Sequence, residues 1–580
     1  MKKNIYSKTL PILAFLFAFL SCTDLEEEVL DESLTGTGQA EIVSGSIAPV
    51  YGRLRNVWLH TRNFGLQEIA SDEAILPYRG GRDWFDGGKF IAVHQHLMTP
   101  GNALVSDTWT DLTLALSNAV AAEERLKPEA ATNPEAQDAL YEMITMKAYL
   151  NMQLLDNWGL VFKKVSSSER SEILRGQQAI DYIESDLLSV VNVINNNKGP
   201  GRFTRDAVKA LLARLYLNAA VYRDPYGTPD FKSDEMQKVI QYTNEIIAGS
   251  YTLSPEYFAL FNDDNNTNRE VIFSIDQRGV LQTEHSRWAY WSISGDLVPR
   301  PEWPNSRGTD AAALTPDFYQ TWLDAYGNVD PAVADARFFQ ENTIIPDNLK
   351  DLTGITPAND ANHYFCVDAK SFQINRGILR GVIWGPRKDA AGNILKCDDG
   401  KVRIYPVINA RTSGANRTYV DHIKQVDFTD QGSLHHTGHR FSKYQFSSTS
   451  PDCCNYSSVD LVLIRLGEIY LMRAEAKLRS GDNAGALTDI NTLRTSRNAR
   501  PAQTPAALTS INLDILFREA GFELYWEGLR RNYQIRFGKY EGSWTGKTGS
   551  DVNKRLFPIP QKAIDGASNL PGFLSQNQGY

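Results

Sequence analysis

The stretch TRDAVKALLARLYLNAAVY, residues 204–222, restricts the fold more than any other. Val208, Leu211, Leu212, Leu215 and Ala219 fall at i, i+3, i+4, i+7 and i+11, a single apolar stripe along a helix. A second helix is predicted over NPEAQDALYEMITMKAYLNMQLLDNWG, with Asn133 as N-cap, Pro134 at the first helical position and a stop at Gly159. Leu140, Met143, Ile144, Leu150, Leu154 and Leu155 fill its apolar face. QAIDYIESDLLSVVNVI and MQKVIQYTNEIIAGSYTL predict two more helices, so helical patterns dominate from about residue 105 to 250. None of these helices can cover its stripe alone, and helix pairs stacked on one another are the economical solution.

One further pair resembles a known repeat. EIYLMRAEAKLRSGDNAGALTDINTLRTSR places Tyr470, Ala474, a turn at Gly481, then Ala486, Ile490 and Leu493 at offsets similar to those of a tetratricopeptide helix–turn–helix, where small residues let two helices approach closely. Residues 255–460 have another texture. Pro, Gly, Asn and Asp are frequent, and aromatic residues lie between short β-type runs such as EVIFSI and KVRIYPVI. Loops this long are usually functional, and so many aromatics argue against disorder.

The N-terminus reads MKKNIYSKTLPILAFLFAFLSC. Lys2, Lys3 and Lys8 precede an apolar run of 11 residues, Leu10 to Leu20. That run is too short for a bilayer span, which takes about 20 residues, and suits a secretory leader. Phe19-Leu20-Ser21-Cys22 resembles a lipobox, which makes Cys22 the candidate lipidation site. The acidic TDLEEEVLDE behind it resists packing and suits a tether. The expected organisation is a leader over 1–21, a tether over 22–35, a helical region over 36–254 and a C-terminal region over 255–580. That last region is loop-rich over 255–460 and helical over 461–540, and the two large regions are expected to form one compact unit. No later apolar run approaches 18 residues. Net charge is −9 without a basic stripe, which excludes a nucleic-acid partner. Beyond Cys22 stand Cys366, Cys397, Cys453 and Cys454, enough for one or two bridges whose pairing is not readable.

Family motifs appear in the last third. Arg465 to Ala476 (RLGEIYLMRAEA), Glu523 to Arg530 (ELYWEGLR), Pro558-Ile559-Pro560 and the terminal Gln576 to Tyr580 (QNQGY) stand in the order of the SusD/RagB family of surface glycan-binding lipoproteins, which the chain resembles. QINRGILRG, HRFSKYQF and SDEAILPYRGGRDWFDGG resemble family segments upstream. One departure is Tyr533-Gln534, where the family usually has Asp-Leu, which puts a local salt bridge or helix contact in question. The resemblance implies a mainly α fold: a tetratricopeptide-like helical-repeat scaffold carrying a large loop-rich, mixed α/β ligand-binding half. It also implies a non-catalytic role without a cofactor. The protein would be lipid-anchored at the cell surface, capture oligo- or polysaccharide and hand it to a SusC-like TonB-dependent outer-membrane transporter. The alternative within the same architecture is a lid for peptide import.

Sugars are held in water by rings, because the C–H face of a pyranose packs on Trp or Tyr while its hydroxyls stay hydrogen-bonded. Two stretches qualify. In HSRWAYWSIS, Trp288 and Tyr290 fall on one face of an extended segment and Trp291 on the other, so one face can be core and the other a platform. In YRGGRDWFDGG, the glycine-rich loop offers Trp84 beside Arg79 and Asp83, which the family's early loop marks as glycan candidates. Trp303, Trp322 and Trp384 stand behind these. His435-His436-x-x-His439 has metal-like spacing but sits in a Gly/Ser loop and is expected to be solvated or to touch ligand; His94-x-His96 is similar. Asp264-x-Asn266-x-Asn268 lacks the glycine and closing glutamate of a calcium loop and reads as a turn. No nucleophile elbow, phosphate loop or dinucleotide fingerprint is present.

Overall fold

The computed structural model describes residues 38–79, 84, 86–277, 288–426, 434–453 and 455–580. The leader, Cys22, the tether, Asp83 and Cys454 lie outside the described residues.

Eleven helices carry the argument: α1 (Gly38–Val57), α2 (Ala103–Ala130), α3 (Pro134–Trp158), α4 (Gly176–Val190), α5 (Arg205–Tyr222), α6 (Ser233–Ile247), α7 (Pro316–Tyr326), α8 (Leu466–Arg479), α9 (Asn483–Ser496), α10 (Leu513–Leu524) and α11 (Arg530–Arg536). Their ends are fixed locally. The Asn133 side chain accepts from the backbone N–H of Glu135 and Ala136, and Gly159 stops α3 in the left-handed region at φ 68°. Thr204 caps α5 through the N–H of Ala207. The stripe on α5 is buried throughout, from Val208 to Ala219.

Each helix from α1 to α6 packs on its sequence neighbour. The hairpin α8–α9 then docks its first helix on α6 and on α10, so the row of helix pairs continues across the loop-rich insertion. Ala474 and Ala486 are fully buried where α8 meets α9, and Tyr470 packs on the same cluster. The architecture is a mainly α, tetratricopeptide-like scaffold with little sheet, as the repeat offsets imply.

The loop-rich half contributes short strands: β1 (Val271–Ile275), β2 (Phe365–Val367), β3 (Arg376–Leu379), β4 (Trp384–Pro386), β5 (Val402–Pro406), β6 (Arg440–Ser442) and β7 (Leu461–Arg465). β4, β5 and β2 form one antiparallel sheet with Trp384 opposite Pro406 and Val402 opposite Val367. A Cys366–Cys397 disulfide ties β2 to the β4–β5 connection. β7 pairs antiparallel with β1 and runs straight into α8.

At that junction Arg465 is 1% exposed and meets Glu270, Glu523 and Glu527 at 2.7–2.9 Å. Arg497 bridges Glu270 and Glu523 as well, at 2.6 and 2.5 Å. Charges this deep persist only when paired and hydrogen-bonded. Burial alone would raise the Glu523 carboxyl; the guanidinium groups of Arg497, Arg465 and Arg337 overcome it and hold it well below the usual carboxylate range.

The histidine expectation is corrected. His435, His436 and His439 are 1%, 9% and 6% exposed, and His94 and His96 are 1% exposed, so neither group is solvated. Several ring nitrogens serve neighbours in the core: His439 Nδ1 lies 2.9 Å from the carbonyl oxygen of His422, His96 Nε2 2.9 Å from that of Ala70, and His436 Nδ1 2.9 Å from the Asn409 amide. The Tyr533-Gln534 departure keeps a contact. Gln534 Oε1 accepts from the backbone N–H of Asp72, whose carboxylate pairs with Arg530 at 2.7 Å.

Candidate functional site

The aromatic stretch after Trp288 is the root of a loop. Thr309, Gly308, Asp310 and Ala311 donate backbone N–H bonds to the carbonyls of Tyr290, Ser294, Ile293 and Trp291. Gly308 is required there, because a Cβ would lie 2.1 Å from the Ile293 carbonyl oxygen. This two-stranded root lies in the core.

Trp288 stacks on Phe64 at 3.8 Å and donates its indole N–H to the Trp58 carbonyl. Trp291 is ringed by Phe90, Trp526 and His60 at 5.7–5.8 Å. Tyr290 packs on Phe446 and hydrogen-bonds Ser450 through its hydroxyl at 2.6 Å. All three rings are at most 1% exposed, so both faces of the segment are core. The platform expected of Trp288, Tyr290 and Trp291 is corrected: no ring face is open to a ligand.

Arg79 and Trp84 serve the same root. Arg79 is fully buried and donates to the carbonyls of Ala311, His435 and Thr437 at 2.6–3.1 Å, which makes it a structural strut rather than a sugar donor. Trp84 is half-buried, with its indole N–H on the Thr309 carbonyl at 2.8 Å and its ring edge-on to His60. Asp83 falls outside the described residues. Trp322 is buried against Phe522, and Trp384 is half-buried beside Phe365.

The loop that this root supports, 295–307, carries Trp303 at 42% exposure. Its indole N–H donates to the Ser448 carbonyl at 3.1 Å, so the ring is held in place while remaining open. Ser306 N–H closes a turn on the Trp303 carbonyl, and Ser306 Oγ accepts from Arg300 N–H. Arg300 is itself buried and donates to the Phe446 carbonyl. Across from this loop stands Tyr456, 36% exposed and at φ 60°, a conformation that a bulky residue rarely adopts. The Thr449 hydroxyl donates to its carbonyl. Among the described residues Trp303 and Tyr456 are the two exposed aromatic rings.

The same loop and the turn before Tyr456 border a cleft of about 650 Å³, within the range of ligand-binding clefts. Loop residues 305–307 and the Asp452–Asn455 turn line it together with the ends of β4 and β5. Leu297, Pro386, Pro406 and Val407 give it an apolar floor, while Asn305, Arg307, Lys388 and Asn455 supply polar groups. Gly385 allows β4 to approach Leu297, since a Cβ would come within 2.5 Å of its Cδ1. Arg387 is fixed, with two hydrogen bonds to Asp360 at 2.8 and 2.7 Å and its guanidinium stacked on Tyr405. Burial raises the Asp360 carboxyl, but Arg387 and the Tyr419 hydroxyl outweigh it and the net shift is downward. Of the cleft's carboxylates, Asp296 is hydrogen-bonded to Ala410 N–H and Asp452 to Asn455. Apolar side chains beside polar groups are suited to holding a molecule whose one face is C–H and whose edges are hydroxyls.

Residues 429–580 match the model of the SusD family. The starch-binding protein SusD of Bacteroides thetaiotaomicron is 27% identical over 471 residues, 78% of this chain and 74% of that protein. The chain is similar to the SusD family. A SusD-like protein of Formosa agariphila is 22% identical over 82% of the chain and 80% of its own length. In fold, the chain resembles surface glycan-binding protein A from Bacteroides thetaiotaomicron, solved in complex with laminarihexaose, with a TM-score of 0.62 and 17% identity over 93% of this chain and 99% of that one. A laminarin-binding SusD-like protein aligns with a TM-score of 0.60 over the same share.

The SusD-like motifs prove to be structural. Arg465, Glu523 and Glu527 form the buried charge knot, and Asn577 of the terminal QNQGY ties the Trp158 and Phe557 carbonyls. The residues that identify the family therefore lie away from the cleft. Trp303 carried a signal in the sequence, Pro301 and Pro304 flanking a lone Trp among polar residues; Tyr456 carried none.

Proposed function

We propose that this SusD-like protein is a lipid-anchored, cell-surface glycan-binding protein that captures oligo- or polysaccharide and delivers it to a SusC-like TonB-dependent transporter of the outer membrane. The observation that carries the reading is the fixed, open indole of Trp303 on the loop whose residues 305–307 line a cleft with apolar and polar walls. The starch-binding relative and the laminarihexaose complex of a protein of the same fold support it. The role is binding, not catalysis, in keeping with those relatives. Two rings and a few hydrogen bonds correspond to dissociation constants of roughly µM to mM, weak enough for cargo to be passed on. The lipid anchor rests on Cys22, and a Cys22→Ala change is expected to move the protein from the membrane to the soluble fraction.

The test is affinity electrophoresis of the chain after Cys22 through gels carrying single polysaccharides, beside a protein that binds none. Retardation by at least one glycan, lost in Trp303→Ala, supports the reading. Migration unchanged in every glycan, with binding of oligopeptides instead, transfers the protein to peptide import.

A further inference from the structure

We infer that the cleft selects an anionic glycan, one whose carboxylate or sulfate groups are bound by Arg307 and Lys388; this rests on the glycan reading above. Arg307 stands on the loop that carries Trp303, and Lys388 follows β4, so two separate elements bring two cations to one cleft. Both side chains are exposed, and neither makes a hydrogen bond or ion pair with the described residues. They are close enough to affect one another: burial, and then the positive charge of Arg307, hold the Lys388 ammonium below its usual range.

The remaining charges of the cleft are already engaged. Arg387 gives both guanidinium arms to Asp360. Asp296 accepts the Ala410 N–H at 3.0 Å and stands 3.6 Å from His435. Asp452 accepts both the backbone and the side-chain N–H of Asn455, at 3.0 and 2.7 Å. Asp389, next to Lys388 in sequence, accepts the backbone N–H groups of Ala391 and Asn393 and so closes its own turn. Asp296 and Asp452 keep their charge but are held by neutral N–H donors, so among the described residues Arg307 and Lys388 are the cations of the cleft whose donors are left for a ligand. A neutral sugar offers nothing that relieves their repulsion, whereas a uronate or a sulfate ester between them accepts charge-assisted hydrogen bonds from both.

Isothermal titration calorimetry of the chain after Cys22 tests this with polygalacturonate and alginate for the carboxylate source, dextran sulfate for the sulfate source, and laminarin and soluble starch as neutral polymers. Heat is expected with at least one acidic polymer, retained at 0.3 M NaCl, where diffuse surface attraction is screened. Arg307→Gln with Lys388→Gln is expected to weaken it about tenfold or more, with an unchanged melting temperature because both side chains are exposed. Binding confined to neutral polymers overturns the anionic inference and leaves the glycan reading standing. Acidic binding that survives the double substitution, or that vanishes at 0.3 M NaCl, overturns it too. No heat with any polymer removes both.

Discussion

Trp303 is set apart from the other tryptophans by what surrounds it. Trp84 and Trp384 are half-buried, and the remaining eight are buried. A ring at 42% exposure contributes little to the core, so its indole N–H bond to Ser448 serves to orient it. Trp303→Ala is therefore expected to weaken glycan binding about tenfold, the loss of one ring contact worth ~1 kcal/mol beyond area, while the melting temperature stays within a degree or two. Trp288→Ala should do the reverse. It removes a stacked, fully buried side chain and should lower stability by about 3–5 kcal/mol without touching ligand. Calorimetric titration and urea unfolding on the two variants separate the roles. Equal loss of binding in both at matched folded fraction would refute the assignment of Trp303 as the platform.

At the scale of elements, the charge knot decides whether the loop-rich half and the helical row stay together. Glu270 precedes β1, Arg465 ends β7, Arg497 follows α9 and Glu523 lies in α10, so four elements converge on one set of buried bonds. Glu523→Gln keeps the shape and removes the charge that Arg465 and Arg497 share. Leaving buried cations under-compensated is expected to cost about 3–5 kcal/mol, read as a lower urea midpoint in far-UV circular dichroism; a midpoint unchanged from the parent would refute it. This knot also marks where sequence reading stops. The helices were legible because their signals are local: the Asn133 cap, the Gly159 stop and the α5 stripe all act within a few residues. Arg465 and Glu523 were visible as motifs, but they stand 58 residues apart, and nothing local tells that they meet. The same limit misplaced the platform. Alternation leaves one face of the segment for a ligand, but Phe64 packs on both Trp288 and Trp291 and Phe90 on Trp291, and these rings arrive from distant sequence.

For the whole molecule, the buried histidines set the response to acid. Burial first, and then the nearby cations of Arg380, Arg440 and Lys424, hold His439 down to about 4 against the pull of its bond to the His422 carbonyl. His436 is likewise held down to about 4 by burial and by His435 and Arg440, and His422 and His96 are held well below their ordinary value, each with burial as the main cause. A base whose folded pKa is depressed adds no penalty above its unfolded value near 6.5. Below that the unfolded chain takes up protons that the folded chain refuses, and stability falls until the folded pKa is reached. For His439 the window runs from about 6.5 down to 4, and the loss across it is about 2–3 kcal/mol. Glu68 works the other way: burial raises it to about 7, so its contribution falls as pH rises from its unfolded value near 4.5 to that point and returns on acidification. Burial raises Glu73 and Asp186 in the same way, and these carboxyls offset part of the histidine loss; the net expectation is a urea midpoint that drops between pH 6.5 and 4. His439→Gln, which keeps a hydrogen-bonding side chain but cannot be protonated, should flatten that slope relative to the parent protein, with unfolding followed by tryptophan fluorescence at half-unit steps. A parent whose midpoint is level across this range, or a variant with the parent's slope, would mean that these histidines are reached by protons in the folded state.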